Sequence, residues 1–382
     1  MRLLHQTSAR LLAIVVAVAL AGCGAPSGSG ETALSRAAMP AAPPLAAEAS
    51  DVLEAIVGVD DGETGVEDGV TRADDVAPPT SVAGGVLRPE PVVPTTMVPP
   101  TTIAPPPVML PSQPAVPAGV GVYAGLGTWI DAYDWSRTFG KDGPLVEVAD
   151  IDRMADVGVQ TLYVQTSRWN APADILEPER LEPLIERARQ RGMAVVAWYL
   201  PTFVDPAQDL RRLIAAASLD VDAVAVDIES RDVADTAERN RRLVALSREL
   251  RSALPGVALG AIVFPPVVME VINTTFWPRF PWDELASYYD VWVPMAYQSF
   301  RTAASGYRDG YRYTAENVDR LRAHLGNATL GHGGGGSADA TTVGDVEGMV
   351  AASSERGVIG GSLYDWRTTA AGLWPHLRAF NR

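Results

Sequence analysis

From Gly121 onward the chain repeats one pattern, a short apolar run followed by a stretch with apolar residues at helical spacing. The runs fall at 122–131, 159–166, 193–200, 221–228, 257–264, 291–297, 328–331 and 358–364. Helix-period segments lie between them at 145–157, 181–191, 210–217, 239–254 and 315–325. Short apolar runs alternating with helices predict a parallel sheet. Eight such units in the stretch 119–382 match the size of a closed (β/α)8 TIM barrel. An open doubly wound sheet is the competitor, but no Gly-x-Gly-x-x-Gly stands at the first strand–helix turn. Gly192, Gly256 and Gly357 each precede a run, where a helix ends in a left-handed residue at no steric cost to glycine. The run Gly333-Gly334-Gly335-Gly336 reads as a loop at the barrel mouth. No Lys-Ser/Thr follows it, which disfavours a phosphate loop.

The chain divides into three parts. In 1–23, Arg2 and Arg10 flank the start, 11–20 is an apolar run of signal-peptide length, and Leu20-Ala21-Gly22-Cys23 follows. The run is too short to span a bilayer alone. The tetrapeptide resembles the lipobox of bacterial lipoproteins, and the resemblance implies export with a lipid on Cys23. Cys23 is the one cysteine, so no intrachain disulfide competes for it. The expected location is the cell membrane, facing the envelope or exterior. Residues 24–118 are rich in Pro, Ala and Thr and lack Trp, Tyr and Phe, so they cannot bury enough apolar surface to offset chain entropy. They read as a disordered stalk leading to the folded part, 119–382.

Charge limits the partners. The formal net charge is −15, with negative charge both in the stalk and in the folded part. Nucleic acid is therefore not an expected partner, because phosphate binding needs a basic face. The four histidines show no ligand spacing, so neither metal nor cofactor is expected. His332 is the histidine at a predicted strand end. The protein is expected to be a monomer.

The predicted strand ends carry the chemistry. The fourth, Asp222-Ala223-Val224-Ala225-Val226-Asp227-Ile228-Glu229, presents Asp227 and Glu229 on one face, with Ala225 behind them and Asp222 on the other face. The first ends with Trp129 and Asp131, followed by Asp134. The second ends with Arg168 and Trp169, and the third holds Trp198. The sixth ends Met295-Ala296-Tyr297-Gln298, and the eighth leads to Trp366 and Arg367. In barrels of this kind function gathers at these ends. Aromatic faces suit the apolar faces of sugar rings, and acids and amides suit hydroxyls. Arg168 and Arg367 either clamp an anionic sugar or neutralise the acids of the mouth.

The strand-four stretch resembles the Asp-x-x-Asp-x-Asp-x-Glu signature of family 18 glycoside hydrolases, the chitinase-like enzymes. Met295-Ala296-Tyr297 is similar to their strand-six Met-x-Tyr, and Trp366 to their floor tryptophan. The resemblance implies an oligosaccharide or polysaccharide substrate. It makes Glu229 the general acid, with Asp227 and Tyr297 orienting an N-acetyl group that attacks in place of a protein nucleophile. Substrate contacts are expected from Asp131, Trp129, Trp169, Trp198, Gln298 and Trp366. This sequence departs from the pattern at Ala225, at Gln298, and at Ala197-Trp198-Tyr199, where a Ser-x-Gly-Gly run is usual. Family 25 lysozyme-like hydrolases also pair an Asp-x-Glu with a strand-one acid, which Asp131 matches. Two readings follow: a glycoside hydrolase, or a catalytically silent barrel that binds glycan or scaffolds the envelope.

Overall fold

The structure is a computed structural model, and it describes residues 119–140, 144–326 and 341–381. Seven parallel strands form one sheet: β1 (Gly125–Ile130), β2 (Thr161–Gln165), β3 (Ala194–Tyr199), β4 (Ala223–Ile228), β5 (Ala258–Val263), β6 (Val291–Pro294) and β7 (Gly360–Leu363). Their order is β6-β5-β4-β3-β2-β1-β7. The helices are α1 (Ala132–Trp135), α2 (Val148–Asp156), α3 (Pro178–Gln190), α4 (Pro206–Ala216), α5 (Thr236–Ala253), α6 (Trp282–Leu285), α7 (Gly310–Leu325), α8 (Val343–Glu355) and α9 (Trp374–Leu377). The fold is the TIM-like α/β architecture that the strand–helix alternation predicts. The predicted strand at 328–331, His332, the four-glycine run and residues 1–118 lie outside the described residues.

The sheet curls until its ends approach each other. Tyr297, just past β6, and Tyr364, just past β7, have ring centroids 6.3 Å apart, although β6 and β7 occupy opposite ends of the strand order. The inner positions of neighbouring strands form layers. Asp227 is level with Ile262, and Ile262 with Val293; one layer down, Trp198 is level with Ala225, and Ala225 with Gly260. In the lower layer the large Trp198 ring is matched by the small Ala225 and Gly260 beside it. Tyr123, entering below β1, crosses that interior and donates its hydroxyl to the Val224 carbonyl of β4 at 2.9 Å. Glycine at 260 is what admits it, since a Cβ there would sit 2.8 Å from the tyrosine oxygen.

All six residues of β4 are buried, as in a parallel strand covered on both faces. Asp222, just before it, serves the helix side as its face predicts. One carboxylate oxygen meets Arg189 at 2.8 Å and the other accepts from the Val195 amide at 2.8 Å. Gly192 and Gly357 adopt positive φ (76° and 60°) at helix ends. Gly256 does not. Leu254 ends α5 at φ −124° and ψ 58°, and the turn into β5 needs no left-handed residue. Helix α8 carries no clear helical period because close approach, not a broad apolar stripe, seats it on α7. A Cβ on Gly348 would lie 2.7 Å from the Tyr311 nitrogen.

Candidate active site

Strand β4 delivers two carboxyls to the C-terminal end of the sheet. Asp227 is its fifth residue and 6% exposed; Oδ1 is buried and has no hydrogen-bond partner. Glu229 follows directly after the strand and keeps partial exposure at the rim. Neither caps the next helix, because Asp235 does so by accepting from the Glu238 amide at 2.8 Å. Burial pushes the Glu229 carboxyl up to about 7. Asp227 is pushed well above the usual carboxylate range, first by burial and then by the charge of Glu229. Two such groups resist double ionisation, so the pair holds a proton at neutral pH.

The cleft beside them is aromatic. Trp129, Trp198, Tyr297 and Tyr364 line it with Asp227 and Ser362, and it encloses about 390 Å³ of empty space, solvent at its mouth included. Trp129 is fixed from several sides: it stacks on Tyr163 with centroids 4.1 Å apart, meets Trp198 edge-on at 6.0 Å, and donates its indole N–H to Ser362 Oγ at 2.8 Å. Burial, followed by the charges of Glu229 and Asp227, holds the Tyr297 hydroxyl in its neutral form. Tyr297 is thus a neutral donor facing the carboxyl pair.

A second acidic group lies on the β1–β7 side. Asp131 heads α1, its Oδ1 accepting from the Tyr133 and Asp134 amides (2.7 and 3.1 Å) and its Oδ2 from the Tyr364 hydroxyl at 2.5 Å. Asp134 reciprocates by accepting from the Asp131 amide at 2.9 Å. Burial, then the charges of Asp131 and Asp365, push Asp134 up to about 8, against a weaker opposing pull from Arg367. One oxygen from each of Asp131, Asp134 and Asp365 lies within 4.8 Å of the others, a spacing that a hard cation also tolerates. The helix cap, the Tyr364 hydroxyl and Thr368 already hydrogen-bond these carboxyls.

The residues singled out in the sequence separate into two sets. Asp227, Trp129, Trp198 and Tyr297 line the cleft, and Asp131 reaches it through Tyr364; Glu229 is not among the lining residues, but its charge acts on both Asp227 and Tyr297. Gln298 is fully buried, has no partner for either amide atom, and is not on the cleft wall. Trp169 is half-buried on the loop after β2 and is likewise not among the lining residues. Trp366 packs against Trp374 of α9 at 5.3 Å and points its indole N–H toward Asp150, 3.4 Å away. Tyr364 lines the cleft in its place. β7 ends at Leu363, and Asp365 turns the chain by accepting from the Thr368 amide and hydroxyl, so strand alternation does not reach Trp366. Arg168 lies over the Tyr133 ring at 4.3 Å, and Arg367 stands 3.6 Å from Asp134 in the neutralising position.

No family model matches the chain, and no curated protein matches it either. Among solved structures it is similar to a family GH18 chitinase from Cycas revoluta in complex with allosamidin, at 13% identity, covering 67% of this chain and 99% of that one, with a TM-score of 0.49. It is also similar to the spore cortex-lytic enzyme SleL of Bacillus cereus, at 11% identity, 68% and 74% coverage, and a TM-score of 0.47. A chitinase-like agglutinin from Robinia pseudoacacia stands at 11% identity, 67% and 99% coverage, and 0.47. At such identities and scores the chemistry rests on this chain's own side chains.

Proposed function

We propose that the folded part is a glycoside hydrolase acting on an oligosaccharide or polysaccharide, with Glu229 as the proton donor to the glycosidic oxygen. The observation that carries this is the carboxyl pair at the end of β4, with Asp227 buried on the wall of an aromatic cleft and the half-buried Glu229 two residues further on pushed up to about 7. A carboxylic acid that keeps its proton near neutrality is what leaving-group protonation requires. The identity of its partner follows from the surroundings. Asp131 spends its oxygens on α1 and Tyr364, and the charge that acts on Asp227 is that of Glu229. This supports the scheme without a protein nucleophile. The oxygen of a substrate acetamide bonds to C1 as the C1–O bond to the leaving sugar breaks, and that sugar's oxygen takes the Glu229 proton. Water then opens the cyclic intermediate, with Glu229 accepting its proton.

Export and lipid attachment at Cys23, placing the enzyme on an envelope glycan, complete the proposal. Trimers and tetramers of N-acetylglucosamine are expected to be cleaved, and cellulose fragments of equal length are not, as read by chromatography of the products. Equal cleavage of both would remove the acetamide from the mechanism. Ala225, fully buried and level with Trp198 where a third acid would stand, favours a second reading, a glycan-binding protein without turnover. Binding without cleavage over the same panel would select it.

A further inference from the structure

Two polar atoms in the cleft lack partners, and they are complementary. The Trp198 side chain is 4% exposed and its Nε1 is a buried donor with nothing to bond; Asp227 is 6% exposed and its Oδ1 is a buried oxygen with nothing to bond. Both residues line the same cleft. Trp198 is level with Ala225, and Asp227 is two residues further along the same strand, so the two side chains are diagonal neighbours on the inner face. Buried polar atoms in folded proteins are ordinarily hydrogen-bonded, so a donor and an acceptor left unpaired on one cleft wall are positions that a ligand can satisfy. The other cleft tryptophan is different, because the Trp129 N–H is already given to Ser362.

From this juxtaposition we infer that Trp198 is a specificity-determining residue whose indole N–H donates to a ligand group that in turn donates to Asp227 Oδ1. The group must both accept and donate, as a sugar hydroxyl or a secondary amide does. Ala225 leaves room for the indole, so bulk alone accounts for a large ring at position 198. Bulk does not account for a ring carrying an unpaired N–H. The inference rests on the glycan reading above and adds to it the residue that chooses among glycans.

The test uses the full chain with Glu229→Gln to prevent turnover, and calorimetric titration with chitotriose and with cellotriose. Trp198→Phe, which keeps an aromatic ring and removes the N–H, is expected to weaken binding about tenfold. Loss confined to chitotriose identifies the amide as the bridging group, and equal loss on both sugars identifies a shared hydroxyl. Should Trp198→Phe unfold early, benzothienylalanine at position 198 replaces N–H by sulfur in the same shape and is expected to show the same loss. Unchanged affinity for both sugars in a folded variant overturns the role of Trp198 and leaves the glycan reading intact. A parent protein that binds neither sugar removes that reading and this inference together.

Discussion

Glu229→Gln is expected to lower turnover by about 10²- to 10⁴-fold while leaving glycan affinity nearly unchanged. The amide keeps the size of the acid and its place at the rim, so contacts with bound sugar persist. What it cannot do is release a proton to the departing oxygen. The size follows from the position of the group: burial pushes Glu229 up to about 7, so in the parent a large share of molecules is protonated and ready at neutral pH. Parallel measurement of kcat and of Kd separates the two effects, since a residue that only holds substrate raises KM and leaves kcat alone. Turnover retained in this variant takes Glu229 out of the chemistry.

Asp134→Asn is expected to stabilise the protein, and increasingly so as pH rises. The Asp134 carboxyl is 4% exposed and raised from 3.8 to about 8, mainly by burial and then by Asp131 and Asp365. Between these values the folded chain holds a proton there that the unfolded chain has released. Stability from this group is therefore complete below about pH 4 and declines as pH climbs toward 8. A shift of this size amounts to a loss on the order of 5 kcal/mol across that window. Asparagine has no proton to lose and keeps a carbonyl oxygen for the Asp131 amide. Melting temperatures of parent and variant are expected to agree near pH 4 and to separate progressively up to pH 8, with the variant higher. Parallel curves would show that Asp134 does not titrate in this window.

The barrel layers and the carboxyl pair were legible because both follow from strand periodicity. Alternation separated Asp222, which pins Arg189 and the Val195 amide, from Asp227 at the cleft. It failed where the backbone leaves the strand: Trp366 turns outward to Trp374, and Tyr364 faces the cleft and holds Asp131. Helix α8 was hidden because small residues and a backbone approach at Gly348 seat it, and these leave no apolar period. The unpaired donor of Trp198 and the unpaired oxygen of Asp227 belong to three-dimensional packing. The sequence carries only their precondition, a tryptophan on β3 at the level of an alanine on β4.

The central claim is that Glu229 carries a proton into the reaction at neutral pH. Carbon-13 NMR of the intact protein with labelled glutamate, the Glu229 carboxyl assigned by its loss in Glu229→Gln, measures this directly. The expected titration midpoint lies near 7. A midpoint at the ordinary glutamate value of about 4.3 would mean an ionised Glu229 at neutral pH and would contradict its role as the acid.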